Sequence, residues 1–232
     1  MPAREDLFTP VHKALRTMIY GLSARLQTND FADLDGTERL LTDLENDFAV
    51  ARTSSCILCV LSQHALDEER AIFPPAAKHA NALITRLIEE HHDLTRRELG
   101  IAEAGHAILD LASPAARVEA GIRLNQAANE LFGAYLTHMN REEAELVPRM
   151  REQFTDAQMA AMRGAILRNL PPDRLFAILG WMLPSLNVTE LSEFLSGLRQ
   201  SAPPPLVQAV CTLCDAQVDP GRWSEVKLRA GI

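Results

Sequence analysis

Apolar residues recur every three or four positions along most of the chain, and strand-like alternation is nearly absent, so the pattern predicts helices. The first opens at TPVHKALR, with Thr9 as the expected N-cap and Pro10 in the first turn. Its apolar stripe runs Leu15, Ile19, Leu22, Leu26. NDFADLDG reads as a loop. A long second helix follows from about Thr37 and is broken by the prolines of Phe73–Pro75. A third covers about residues 78 to 111. In ASPAARVEAG, Ser113 is placed to cap and Pro114 to start a fourth, which runs to about Gln153. Four long helices with short connections predict an all-α fold, an up-down-up-down four-helix bundle over residues 1–153.

From about residue 154 the pattern shortens. FTDAQMAAMRGAILRNL, PPDRLFAILGWMLPSL, NVTELSEFLSGLRQ and APPPLVQAVCTLCDAQ are four brief helical stretches set off by prolines or capping residues, with Thr155 and Asp173 as local starts. Residues 154–232 are therefore expected to form a helical C-terminal extension, which carries no obvious chemistry of its own.

Composition narrows the partners. The chain has 232 residues, 47% hydrophobic and 23% charged, the profile of a globular protein with a sizeable core. A net charge of −8 without a basic stripe argues against a nucleic-acid partner. No apolar run approaches the ~20 residues of a membrane span, and MPAREDLFTP lacks a signal peptide's apolar stretch, so a cytoplasmic protein is expected. The four cysteines form two pairs, CILC (Cys56, Cys59) and CTLC (Cys211, Cys214). A four-thiolate zinc site or a redox pair fits that spacing. SSCILCVLSQH instead reads as continuous apolar helix without the glycine turns of a zinc knuckle, so buried structural thiols are expected.

The histidines change the picture. Positions at ±3, ±4 and ±7 share a helix face. His64 follows Ile57, Val60 and Leu61, and His138 follows Leu131, Ala134 and Tyr135. His12 precedes Leu15 and Ile19, and His91 is flanked by Ile84, Leu87, Ile88 and Leu94. All four face inward. His92 falls on a polar flank, and His79 and His106 read as structural or surface residues. HALDEE and HMNREE repeat His-x-x-x-Glu-Glu, which puts Glu68 and Glu142 on the faces of His64 and His138. Glu69 and Glu143 are rotated by roughly 140° and are expected to face solvent.

One inward His on each of four helices, with two inward Glu, is costly to bury unless a metal takes the donors. Four imidazoles and two carboxylates exceed the needs of one structural zinc and suit a pair of iron ions. Ferritin-like di-iron sites need Glu-x-x-His from two helices, and here that spelling falls within the third helix alone, at Glu89–His92 and Glu103–His106.

The ordered segments VHKAL, HALDEERAIFP, EEHHDL and HMNREEAELVP, over about residues 8 to 152, resemble the hemerythrin-like, HHE cation-binding family. The resemblance implies a non-haem di-iron centre in an up-down four-helix bundle, with His12, His64, Glu68, His91, His138 and Glu142 at the ligand positions. Oxygen carriers of that family have a second His four residues after the third-helix ligand, where this chain has Thr95. That departure argues against reversible oxygen transport and leaves a coordination position for water, peroxide or a further carboxylate. The segment WMLPSLNVTELSEFLSGLRQSAP resembles C-terminal helices that follow such domains in some bacterial proteins.

Two functions follow as expectations. One is a sensor or binder of oxygen, nitric oxide, peroxide or iron, with the C-terminal helices meeting a protein partner and an oligomer permitted. The other is a di-iron enzyme for peroxide reduction, ferroxidase chemistry or nitric oxide handling, with Tyr135 as the inward candidate for a proton or electron role. No cofactor beyond the metal is expected.

Overall fold

The computed structural model describes residues 5–45 and 56–232. Among them every regular element is helical and no strand occurs. The elements are α1 (Thr9–Thr28), α2 (Leu34–Leu44), α3 (Ile57–Asp67), a π-helical turn (Glu68–Ile72), α4 (Phe73–Leu109), α5 (Pro114–Arg141), a second π-helical turn (Glu142–Leu146) and α6 (Val147–Gln153). Then come α7 (Asp156–Asn169), α8 (Pro172–Ser185), α9 (Val188–Ser201), α10 (Pro204–Gln217) and α11 (Pro220–Ala230).

Several helix ends follow local chemistry. The Ser113 side chain accepts from the Ala116 N–H to open α5, and Thr155 with Gln158 forms a reciprocal capping box on α7, as does Asn187 with Glu190 on α9. Thr9 is not the cap of α1. It is the first helical residue, and the Asp6 carboxylate accepts from the Phe8 and Thr9 N–H groups, each at 3.0 Å. Asp173 stands in the first turn of α8, one residue after Pro172 begins it.

The expected long second helix is divided. Helix α2 starts earlier than Thr37 and ends at Leu44, where Glu45 turns extended (φ −147°, ψ 133°). Cys56 is also extended and caps α3, so CILC opens a helix and does not lie within one. The rest of the expected helix, residues 46–55, lies outside the described residues. Nor do the prolines end the helix at Phe73–Pro75. Pro74 and Pro75 lie in the first turn of α4, the backbone runs through the π turn, and the irregular residue is Ala80 (φ −143°, ψ 45°).

Both π turns have one physical cause. Pro74 and Pro148 each lie six residues after the first Glu of a Glu-Glu pair. Proline has no N–H for the carbonyl four residues back, and its ring collides with that carbonyl in an α-helix. The turn widens instead, so that Phe73 N–H reaches Glu68 O and Val147 N–H reaches Glu142 O, five residues back in each case.

Three apolar clusters surround this frame. The first gathers the inward faces of α1, α2, α3, the C-terminal half of α4 and α5, including Leu15, Leu61, Leu94 and Leu131. Another lies at the opposite end, built from Phe8, Ile72, Phe73, Leu87, Leu146 and the methionines of α6 and α7. Between these two, on every helix that crosses, stands a polar layer: His12, His64, Glu68, His91, His138 and Glu142. The last cluster joins α8 to α11 and takes in Ala14 of α1, so α1 is buried on two faces.

Arg117, itself buried, ties the connections together by donating to the carbonyls of Ala32 and Leu111 (2.8 Å each) and of Phe31 and Ala112. Next to it the Phe31 ring lies flat against Gly121, where a Cβ would collide with ring carbons. Gly121→Ala is expected to lower stability by about 1–3 kcal/mol through overpacking while leaving helicity unchanged. Urea denaturation followed by circular dichroism tests this.

Candidate metal centre

Four helices each bring one imidazole into the polar layer: His12 from α1, His64 from α3, His91 from α4 and His138 from α5. Glu68 and Glu142 enter from the first residues of the two π turns. Their side-chain donor atoms fall into two overlapping groups, His12–His64–Glu68–Glu142 and Glu68–His91–His138–Glu142. Within each group the atoms lie within 4.8 Å of one another.

The two carboxylates are shared, and each divides its oxygens between the groups. Glu68 Oε1 lies 3.0 Å from His64 Nε2 and 3.8 Å from His12 Nε2, while Oε2 lies 3.4 Å from His91 Nε2. Glu142 Oε2 lies 3.3 Å from His12 Nε2, and Oε1 lies 3.4 Å from His138 Nε2. These approaches are close but not aligned as hydrogen bonds. Both oxygens of Glu68, both of Glu142, and Nε2 of His12 and His64 are buried without a hydrogen-bond partner among the described residues. Such orphaned groups are expensive in a core. The Nε2 atoms of His91 and His138 face each other at 2.9 Å, a contact that needs a proton on one of them.

Three further carboxylates set the ring orientations. Glu143 Oε1 lies 2.9 Å from His12 Nδ1, Glu69 Oε1 lies 2.8 Å from His91 Nδ1, and Glu90 Oε2 lies 2.9 Å from His138 Nδ1. A carboxylate can only accept here, so each Nδ1 carries a proton and Nε2 is the ring nitrogen turned toward the centre, where a metal ion would take the place of any proton it holds. Two of the three are held in turn by arginines. Arg16 donates to both oxygens of Glu143, at 2.8 and 3.0 Å, and Arg141 donates to Glu90 Oε1. This corrects the expectation that Glu69 and Glu143 face solvent: both are half-buried and bonded to imidazoles of neighbouring helices. The rotation by 140° holds for an α-helix, and the π turn begins at the residue before each of them.

Beside the layer lies a second buried polar group. Glu98 accepts from Tyr135 Oη and from Ser62 Oγ (2.7 Å), joining α3, α4 and α5. Thr95 is exposed, so the face of α4 turned toward the core continues from His91 through Leu94 to Glu98. His92 and Glu89 are exposed as well, which removes the ferritin-like pair. His79 is exposed with its ring against Phe154, and exposed His106 lies 3.7 Å from Glu45. Among the described residues no cysteine joins a metal-capable group. Cys56 and Cys59 are disulfide-bonded, correcting the expectation of buried thiols, whereas Cys211 and Cys214 are buried free thiols.

The electrostatics express the same frustration. Burial disfavours charge on His12, but Glu142, Glu143 and Glu68 outweigh it and hold its pKa well above the ordinary value. The same opposition raises His91 and brings His138 to about 9, with Glu142 and Glu90 as its partners. Burial likewise opposes ionisation of Glu68, yet the imidazoles of His64, His12 and His91 hold it well below the carboxylate range. Glu90 and Glu143 fall to about 2 against burial, through His138 with Arg141 and His12 with Arg16. Burial raises Glu98, only partly offset by Tyr135 and Ser62, and burial with Glu98 pushes Tyr135 well up. Protons held on imidazoles here are the species a metal ion would replace.

The chain matches no known protein family, no curated protein and no solved structure. The donor set alone therefore carries the chemistry: a buried His/Glu cluster that could hold metal ions.

Metal-free protein should have a stability optimum between about pH 4.5 and 6.5. The raised imidazoles stabilise the fold below their unfolded pKa, and that stabilisation is lost as pH rises through about 9. The depressed carboxylates stabilise it above their unfolded pKa, and that contribution is lost as pH falls toward about 2. Melting temperature against pH for chelator-treated protein tests both limbs.

Proposed function

We propose that the protein binds two metal ions, with one tetrad for each and Glu68 and Glu142 spanning both. The observation that carries this reading is the set of six buried donor atoms, on His12, His64, Glu68 and Glu142, that have no hydrogen-bond partner among the described residues and that converge with the imidazoles of His91 and His138. Imidazole with carboxylate is the donor mixture of non-haem iron, and a closed structural zinc uses four ligands, usually with cysteine. We therefore assign iron and read α1, α3, α4 and α5 as an up-down, hemerythrin-like four-helix bundle over residues 1–153. When bound, the metal pair supplies redox and ligand-binding chemistry. The chain's own residues supply the rest. Glu143, Glu69 and Glu90 hold the imidazole tautomers, and the two apolar clusters exclude water above and below.

Within that reading the protein is a sensor or binder of oxygen, nitric oxide, peroxide or iron in the cytoplasm, and helices 154–232 are its reporting element. The supporting contacts adjoin the donors. Lys13, next to His12, meets both oxygens of Glu190 on α9 at 2.6 Å. Gln63, next to His64, accepts from Arg174 on α8 at 3.0 Å. Thr17 and Ser185 are joined at 2.8 Å, and Ala14 packs into the α8–α11 cluster. The second reading is a di-iron enzyme, favoured by the buried Tyr135–Glu98 pair as a proton store beside the site.

Protein purified without added metal should contain about two iron ions per chain, by elemental analysis, with near-ultraviolet ferric absorption. Glu68→Ala should abolish both ions, whereas His91→Ala should keep about one, since the first tetrad survives it. One zinc per chain, or two ions retained by Glu68→Ala, sinks the reading.

For the sensor, amide exchange in α8 and α9 should slow when iron is restored to chelated protein. Unchanged exchange together with steady peroxide turnover that Tyr135→Phe removes would decide for the enzyme.

A further inference from the structure

The spelling Cys-x-x-Cys occurs twice, and the fold treats its two copies oppositely. Cys211 and Cys214 lie inside α10 as buried thiols, where burial and Asp215 push both up, Cys214 to about 12. Cys56 and Cys59 open α3 and are bonded, with Cα atoms 5.5 Å apart. Cross-link stabilisation grows with the loop enclosed, and this one encloses only two residues between its cysteines, so it is a poor staple.

Its two sulfurs are also unlike. Cys56 is the N-cap, 1% exposed, and its Sγ accepts from the Cys59 N–H at 3.3 Å. Cys59 is partly exposed on the first turn. An attacking thiol therefore meets Cys59 first. The sulfur that leaves is Cys56, at a helix N-terminus with a backbone donor already aimed at it, the setting that stabilises a thiolate. Thiol–disulfide exchange is fastest with an accessible electrophilic sulfur and a stabilised leaving thiolate, and the pair provides one of each.

We propose that Cys56–Cys59 is a redox-active couple that exchanges with a low-molecular-weight thiol of the glutathione type, by attack at Cys59. The thiolate bonds to Cys59 Sγ, and the Cys56–Cys59 bond breaks with its electron pair passing to Cys56. A second thiolate attacks the added sulfur, releasing the small disulfide and leaving Cys59 as thiolate. Water supplies the protons that the two cysteines retain. Two thiols and one protein disulfide thus become one small disulfide and one protein dithiol. The couple goes beyond the metal reading and does not depend on it.

The full-length protein is equilibrated in native buffers of stepped reduced-to-oxidised glutathione ratio, quenched with an alkylating reagent and mapped by mass spectrometry. Cys56 and Cys59 should pass together from bonded to alkylated as a single two-electron step, while Cys211 and Cys214 react only after denaturation. In the single variants, oxidised glutathione should cap Cys59 of Cys56→Ser at least about tenfold faster than Cys56 of Cys59→Ser. A pair that stays bonded at every ratio until the protein is unfolded is a structural staple and overturns the proposal. So does a pair that is never bonded, or faster capping at Cys56. Iron content measured on the same samples reports separately on the metal centre.

Discussion

Two carboxylates, Glu68 and Glu142, lie in the core with no hydrogen-bond donor among the described residues on any of their four oxygens, and the architecture is arranged around that burden. Leaving one buried polar group unsatisfied costs as much as several good packing contacts return. The cost is contained by geometry. Each carboxylate turns one oxygen to each group of imidazoles, so four helices have a reason to meet at one level. The apolar core is consequently split into two clusters with the polar layer between, and neither half closes without the other's helices.

The outer carboxylates make the layer directional. Glu69, Glu90 and Glu143 each accept from an Nδ1–H, so the Nε2 atoms of His91, His138 and His12 converge inward. Their positions come from packing between elements: Glu143 serves α1 from the second π turn, Glu69 serves α4 from the first, and Glu90 serves α5 from α4. The arginines on Glu90 and Glu143 keep two of these acceptors ionised and in place. Among the described residues His64 is the exception, its contacts being Glu68 and the edge of the His12 ring.

The inward faces were legible because α1, α3, α4 and α5 are regular where the four histidines stand, and a constant 100° per residue identifies their neighbours. The helical class was legible for the same reason. Glu69 and Glu143 were misread because that constant fails from Glu68 and Glu142 onward. A proline at the same offset in both copies, six residues after the first Glu, was the available signal of a widened turn. Glu98, seven residues after His91, lies on the same inward face by that constant, but its partners Ser62 and Tyr135, like His138 and Arg141 for Glu90, come from α3 and α5, which one-dimensional periodicity does not relate. The Cys56 cap was hidden because CILCVL is apolar throughout and periodicity alone does not say where a helix begins.

Helix α1 has a consequence for how the molecule is made. One of its faces holds His12 and the first core, and the other packs on the α8–α11 cluster through Ala14 and pairs Lys13 with Glu190, 177 residues away. During synthesis that second face waits for its partner across those 177 residues. Until α9 leaves the ribosome, that side of α1 stays exposed, and closure is a long-range event of the slow kind.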